Sequence, residues 1–167
     1  MEKLRIYRIE DKYIRFLKSR DSRVPDNTHL PNNKGNRRPY VGIVLLIGSY
    51  RYFVPMESPK PNHANLKSGV HIMKLDGGKL GLLGFNNMIP VPESALIQFD
   101  IDNESDKKYA DLLRHQATCI NRNKAEIFDR ASKTYYRSVN GENKFFSSIC
   151  CNFRKLEKAC KQYDPQH

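Results

Sequence analysis

Two apolar runs separated by one polar residue constrain this chain more than any other feature. "YVGIVLLIG", Tyr40 to Gly48, contains the longest aliphatic stretch in the sequence, and "YRYFVPM", Tyr50 to Met56, follows after Ser49 alone. Runs this close can bury themselves only by folding back on one another, so they read as paired antiparallel strands, the first buried on both faces. The stretch Val41–Gly48 is far too short to span a bilayer.

Other segments read around that hairpin. "LRIYRI" alternates apolar and basic residues at period two, as a half-buried strand does, and "EDKYIRFLKSR" spaces Tyr13, Ile14 and Leu17 for a helix with acids first and bases last. Residues 21–39 form a long Asn-, Pro- and Arg-rich loop, a length that implies mobility or function. "VHIMKL", "DGG" and "LGLLGF" give a second hairpin, and "MIPVPE" and "ALIQFDI" give two short strands. From Ser105 onward the periodicity is helical, with a break expected at Asn121–Asn123 and a final helical region in "FFSSICCNFRKLEKACKQY". With no Gly/Ser linker and no repeat, residues 1–167 are expected to form one α+β domain around a strongly twisted antiparallel sheet.

Composition narrows the function. The net charge is +11, and the first forty residues carry eleven Lys and Arg against five Asp and Glu. Such a surplus repels itself and calls for a polyanionic partner, with nucleic acid favoured over an anionic membrane because no basic amphipathic segment has a clean apolar face. The N-terminus lacks the apolar core of a signal peptide, so the chain reads as cytosolic. Cys119, Cys150, Cys151 and Cys160 form no C-x-x-C pair and read as reduced structural thiols. Phosphate-loop, dinucleotide and zincin motifs are absent from the sequence, and neither a metal nor a cofactor is expected.

Chemistry concentrates in "FVPMESPKPNHANLKS", Phe53 to Ser68. Pro55 is expected to end the strand and Pro59 to stiffen the turn that presents Ser58 and Lys60. Cleaving RNA without a metal requires attack by the 2′-hydroxyl, stabilisation of the charge that grows on the phosphoryl oxygens, and a proton for the leaving 5′-oxygen. Ser58, Lys60 and Lys67, with Arg37 and Arg38 before the buried strand, have the groups for this. A plain Ser-Pro turn with a solvated lysine is the simpler alternative.

The quoted residues also carry a resemblance. "KYIRFL", "RPYVGIVLLI", "YFVPMESPKPNH", "LGLLGFNNMIPVPES" and "CNFRKLEKACKQY" are similar, in this order, to the ToxN/CptN/AbiQ family of type III toxin–antitoxin and phage-defence endoribonucleases. The resemblance implies a compact fold like the Kid/MazF toxins, with helices around the sheet. It also implies metal-independent cleavage of cellular and phage RNA at adenine-rich sites, leaving 2′,3′-cyclic phosphate and 5′-hydroxyl ends. The implied partner is a repeated small antitoxin RNA of pseudoknots in a closed protein–RNA assembly. Carried over by residue, the family's serine-proline-lysine falls on Ser58, Pro59 and Lys60. Its basic residue before the buried strand falls on Arg38, its helix tyrosine on Tyr13 and its histidine on His63. Glu57 stands where members often have threonine, and a carboxylate beside a phosphate must be protonated, turned away or paired, with Lys60 or Arg38 as partners.

Alternatives stand beside several of these roles. Tyr13 fits a core-edge aromatic as well as a site residue, and His63 fits a loop residue as well as a proton carrier. Arg5, Tyr40, Arg154 and Lys155 complete the expected RNA contacts, although the helix bases Arg154 and Lys155 also fit a solvated face. The runner-up function is a non-catalytic RNA-binding module with the same basic groove.

Overall fold

The computed structural model describes residues 3–27, 37–67, 69–141 and 143–163. The central hairpin forms as the apolar runs require: β2 spans Tyr40–Ile47, β3 spans Tyr50–Glu57, and Gly48, in the left-handed region at φ 58°, makes the turn with Ser49. β1 (Arg5–Ile9) pairs antiparallel with β2, and α1 (Asp11–Arg20) follows it with Tyr13, Ile14 and Leu17 turned inward. The second hairpin joins β4 (Ile72–Lys74) to β5 (Leu82–Gly84), then β6 (Ile89–Pro90) and β7 (Leu96–Gln98) add short strands. One seven-stranded antiparallel sheet results, in the order β4-β5-β3-β2-β1-β7, with β6 also on β3.

The α-rich half comprises α2 (Lys107–Arg122), α3 (Lys124–Val139), α4 (Lys144–Ile149) and α5 (Phe153–Gln162). The expected break falls at Asn123, between α2 and α3. The last helical region is two helices, not one, because Cys150–Asn152 leave the helix and Asn152 caps α5 by accepting from the Lys155 amide. α3 packs on β2 and α5 on β6, with α1 against α5, so the core lies between the sheet and these helices. The α+β architecture expected from the sequence is the one observed. His29 and the middle of the 21–39 loop lie outside the described residues. Among the described residues no helix is long and apolar enough to cross a membrane.

Two expectations need correction. Pro55 does not end β3, which runs on to Glu57. Met56 donates to the Pro39 carbonyl at 3.0 Å, so the neighbouring Pro55 nitrogen faces away from β2. On that far side β3 pairs with β6 at Tyr52–Phe53 and with β5 at Met56–Glu57, and Pro55 sits at the junction, where no ladder donor is needed. β2 is buried on both faces only in its first half, since Leu46 is exposed. All four cysteines are free, and burial pushes the thiols of Cys150 and Cys151 up to about 11 and about 12.

The helices are tied to the sheet by a buried carboxylate. Glu157 on α5 accepts hydrogen bonds from Tyr52 on β3 and Tyr135 on α3, each at 2.7 Å. Burial, reinforced by the bond to this carboxylate, raises both phenols above the ordinary tyrosine value. Tyr135 also stacks on Phe153 at 5.5 Å between ring centroids. Replacing Glu157 by Ala strands two buried hydroxyls, at about 1–3 kcal/mol each. Urea unfolding of Glu157→Ala should therefore show a loss of several kcal/mol, and Glu157→Gln, whose amide oxygen still accepts, a smaller one. A loss below about 0.5 kcal/mol for the Ala variant, the range of ordinary surface substitutions, would show that the network does not hold the layers together.

Candidate active site

Strand register brings two of the expected residues together, Arg38 and Glu57, whereas Ser58, Lys60 and His63 do not line the cleft. The pairing of Tyr40 with Pro55, continued by the Met56–Pro39 bond, places Arg38 opposite Glu57 at the end of the ladder. Both line a cleft of about 270 Å³, together with Lys18, Arg23 and Asn87. Beyond Glu57 the chain leaves the sheet through Ser58 and Pro59, and a short 3-10 turn, Pro61–Asn65, begins after Lys60. Lys60 and Lys67 are exposed, and Ser58 is half-exposed.

His63 has a defined place in that loop. Its own amide donates to the Lys60 carbonyl at 3.0 Å, and the Lys60 amide donates to its Nδ1 at 3.3 Å. Its Nε2 lies 3.5 Å from Glu57 Oε2. The ring is 2% exposed while the Glu57 side chain is 45% exposed. His63 thus stands behind Glu57. The partner of Glu57 is this histidine, not Lys60 or Arg38.

The β4–β5 connection supports the loop from behind, and glycine is needed there. A Cβ on Gly81, at φ +105°, would lie 2.1 Å from the Glu57 carbonyl oxygen, and one on Gly78 would lie 3.1 Å from His63 Cβ. No residue with a side chain allows the two segments this approach.

The cleft's cations are anchored. Arg23 grips Asp21 through Nε and Nη2 at 3.0 and 3.2 Å. Lys18 Nζ lies 2.9 Å from the Val24 carbonyl and 3.1 Å from Asp26. Arg38 donates through Nε to the Asp26 carbonyl at 3.3 Å, and its amide donates to Asn27 at 2.8 Å. Asn87 donates to the Arg23 carbonyl at 2.9 Å. A phosphate entering here meets guanidinium and ammonium groups already held in place. Lys18, Arg23 and Asn87 were not recognised in the sequence. The spacing of Asp21 and Arg23 in "DSR" was the available signal, a short-range acid–base pair that builds a rigid turn.

The remaining expected residues are dispersed. Tyr13 is fully buried and donates its hydroxyl to the Pro90 carbonyl at 2.6 Å, so it belongs to the core. Tyr40 is also fully buried, and its hydroxyl has no hydrogen-bond partner among the described residues. Arg37 is tethered to Asp11 at 3.2 Å. Arg5 is exposed on β1, and Arg154 and Lys155 are exposed on α5; none of the three lines the cleft.

Residues 5–161 match the family model described as toxin ToxN of the type III toxin–antitoxin system. The chain belongs to the ToxN family. An endoribonuclease ToxN from Bacillus thuringiensis subsp. kurstaki is 32% identical over 95% of this chain and 84% of its own length. The ToxN fold is shared with a solved type III system in which a non-coding RNA pseudoknot selectively inhibits the toxin, at TM-score 0.84 and 30% identity over 97% of this chain and 98% of that one. AbiQ, a lactococcal anti-phage endoribonuclease of the same system type, superposes at TM-score 0.84 and 25% identity over the same shares of the two chains.

Asp21 makes the cleft's anchoring sensitive to acid. Burial alone lifts its carboxyl, but hydrogen bonds from the Arg23 side chain and from the Asn152 and Arg23 amides outweigh this and hold it below the ordinary carboxylate value. A depressed folded value contributes stability that is complete above the unfolded value near 4 and is lost as pH falls through the folded one. Asp21→Asn should therefore be less stable at pH 7, by about 1–3 kcal/mol. It should also lose less stability than the parent on acidification below about pH 4. Urea midpoints at stepped pH measure both, and identical acid profiles would remove Asp21 from this role.

Proposed function

We propose that this chain is a metal-independent endoribonuclease toxin that cleaves single-stranded RNA in the cleft between Arg38 and the Glu57–Lys60 turn. The observation that carries the reading is the register of β2 and β3, which sets Arg38 across from Glu57 one residue before Ser58 in a member of the ToxN family. In the reaction the 2′-oxygen bonds to phosphorus, the bond to the 5′-oxygen breaks, and the departing oxygen takes a proton. The products are a 2′,3′-cyclic phosphate and a 5′-hydroxyl. Arg38 and Lys60 neutralise the charge that grows on the phosphoryl oxygens, and Ser58 holds one of them by a hydrogen bond. Glu57 takes the proton of the 2′-hydroxyl.

Its inhibitor is proposed to be a repeated RNA that folds into pseudoknots, in a closed protein–RNA assembly. Cellular and phage transcripts rich in adenine are the proposed substrates. The support is the +11 charge together with a relative described as an endoribonuclease and a solved structure from a type III system with selective toxin inhibition by a non-coding RNA pseudoknot. The cleft lining sets the cations Lys18, Arg23 and Arg38 beside the carboxylates Asp26 and Glu57.

Ser58→Ala and Lys60→Ala should each slow cleavage of a labelled RNA by about 100- to 1000-fold, the usual effect of removing one preorganised donor. Affinity should hardly change, because binding draws on many dispersed phosphate contacts. Glu57→Gln, which keeps the shape and loses the base, should also cut the rate without weakening binding. Reactions run in EDTA, with product ends identified chemically, complete the test. Wild-type rates in Ser58→Ala would leave a non-catalytic RNA-binding module, and 5′-phosphate ends would exclude the 2′-hydroxyl route.

A further inference from the structure

A cavity of about 640 Å³, more than twice the volume of the cleft, opens between the β4–β5 hairpin and the elbow where α2 meets α3. A second hollow of about 410 Å³ shares its Thr118 and Arg122, and neither has a lining residue in common with the cleft. Together they make a groove whose walls have two characters. Met73, which is buried, and Leu80 give it an apolar side, and Lys74, Arg122 and Lys3 supply cations along its length.

One of these cations is held in place. Lys74 donates to the Ala64 carbonyl at 3.0 Å, which ties this wall to the Pro61–Asn65 turn that follows Lys60. Arg122 is exposed on the last turn of α2. Asn121 beside it accepts from the Leu4 amide at 2.9 Å and donates to the Leu4 carbonyl at 3.0 Å, fixing the backbone next to Lys3. Two acids also line the larger cavity. Glu126 is neutralised by Arg130 at 2.9 Å, which leaves Asp76 against three cations.

We propose that this groove holds a single-stranded segment of the substrate RNA, continuous with the strand in the cleft but beyond the scissile phosphate. The proposal rests on the nuclease reading only for the identity of the strand in the cleft. Apolar wall and cationic rim match the two parts of a nucleotide, since bases pack on apolar side chains while Lys and Arg follow the phosphates. The contact between Lys74 and Ala64 brings the wall of the groove up to the Pro61–Asn65 turn that follows Lys60. Binding there raises affinity for long RNA and leaves the chemical step untouched.

The test uses the full chain carrying Ser58→Ala, so that RNA is bound and not cut, with Lys3→Gln and Arg122→Gln added together. Both side chains are exposed, and the urea midpoint serves as the folding control. The probes are fluorescent oligoadenylates of about 12 and about 4 nucleotides, spanning the range of single-strand site sizes. Each lost phosphate contact should weaken the long probe about fourfold near 0.15 M salt, about fifteenfold for both, and flatten the slope of log K against log salt by about 1.4. The short probe should bind as before. With Ser58 restored, KM for the long RNA should rise by the same factor at unchanged kcat. Equal affinity and slope for the long probe would overturn the groove, as would an equal loss on the short one. If Ser58-bearing protein cuts neither RNA, the nuclease reading falls, while the difference between the two probes still decides the groove.

Discussion

Because Tyr40 pairs with Pro55 and Met56 donates to Pro39, Arg38 and Glu57 meet at one end of the central hairpin. The opposite end closes in the Gly48–Ser49 turn, where Leu46 is exposed. At the open end the strands diverge: one leads back to Arg38 and Arg37, the other forward to Glu57, Ser58 and Lys60. A one-residue slip would reverse every side chain of β3 and send Phe53 from the core to solvent, so burial of the strand and assembly of the cleft are enforced together. Gly42 shows how tightly that register is held. A Cβ there would lie 2.1 Å from the Phe53 ring, which therefore packs directly over the backbone of β2.

The layers above the sheet act on the same strands. Glu157 reaches from α5 to Tyr52 on β3 and to Tyr135 on α3, and Tyr13 reaches from α1 to the Pro90 carbonyl on β6. These are polar contacts in an apolar interior, strong because no water competes for them and costly to break for the same reason. They also explain why a tyrosine on the first helix could be mistaken for a site residue. Its hydroxyl is indeed committed to a specific partner, but that partner is a strand carbonyl.

Local signals were legible and long-range ones were not. The central hairpin, α1, the β4–β5 hairpin and the break at Asn123 all follow from periodicity and turn residues within a few positions of each other. Pro55 misled because its effect depends on which neighbour strand faces its nitrogen, and β5 and β6 come from residues some thirty positions later. The cleft was half legible. Arg38 and Glu57 lie on the hairpin that the sequence announces. Lys18, Arg23 and Asn87 come from a helix end, a loop and the segment before β6, and only the fold brings them to one cleft. The role of His63 was hidden differently: its residue type suggests a proton carrier, whereas its burial and its bond to the Lys60 amide place it behind Glu57.

The charges divide into two populations with different physical effects. Around the cleft, Arg23 and Lys18 are held by Asp21 and Asp26, and the Arg38 guanidinium is held by the Asp26 carbonyl. Fixed donors lose little freedom when a phosphate arrives and are already aimed when its charge grows, which favours rate. The surplus behind the +11 is carried by exposed side chains such as Arg5, Lys67, Arg122 and Lys155. Those draw a polyanion in, release its counterions and respond strongly to salt, but they have no fixed geometry to offer a transition state. An RNA that covers the exposed set and also enters the cleft opposes both functions at once.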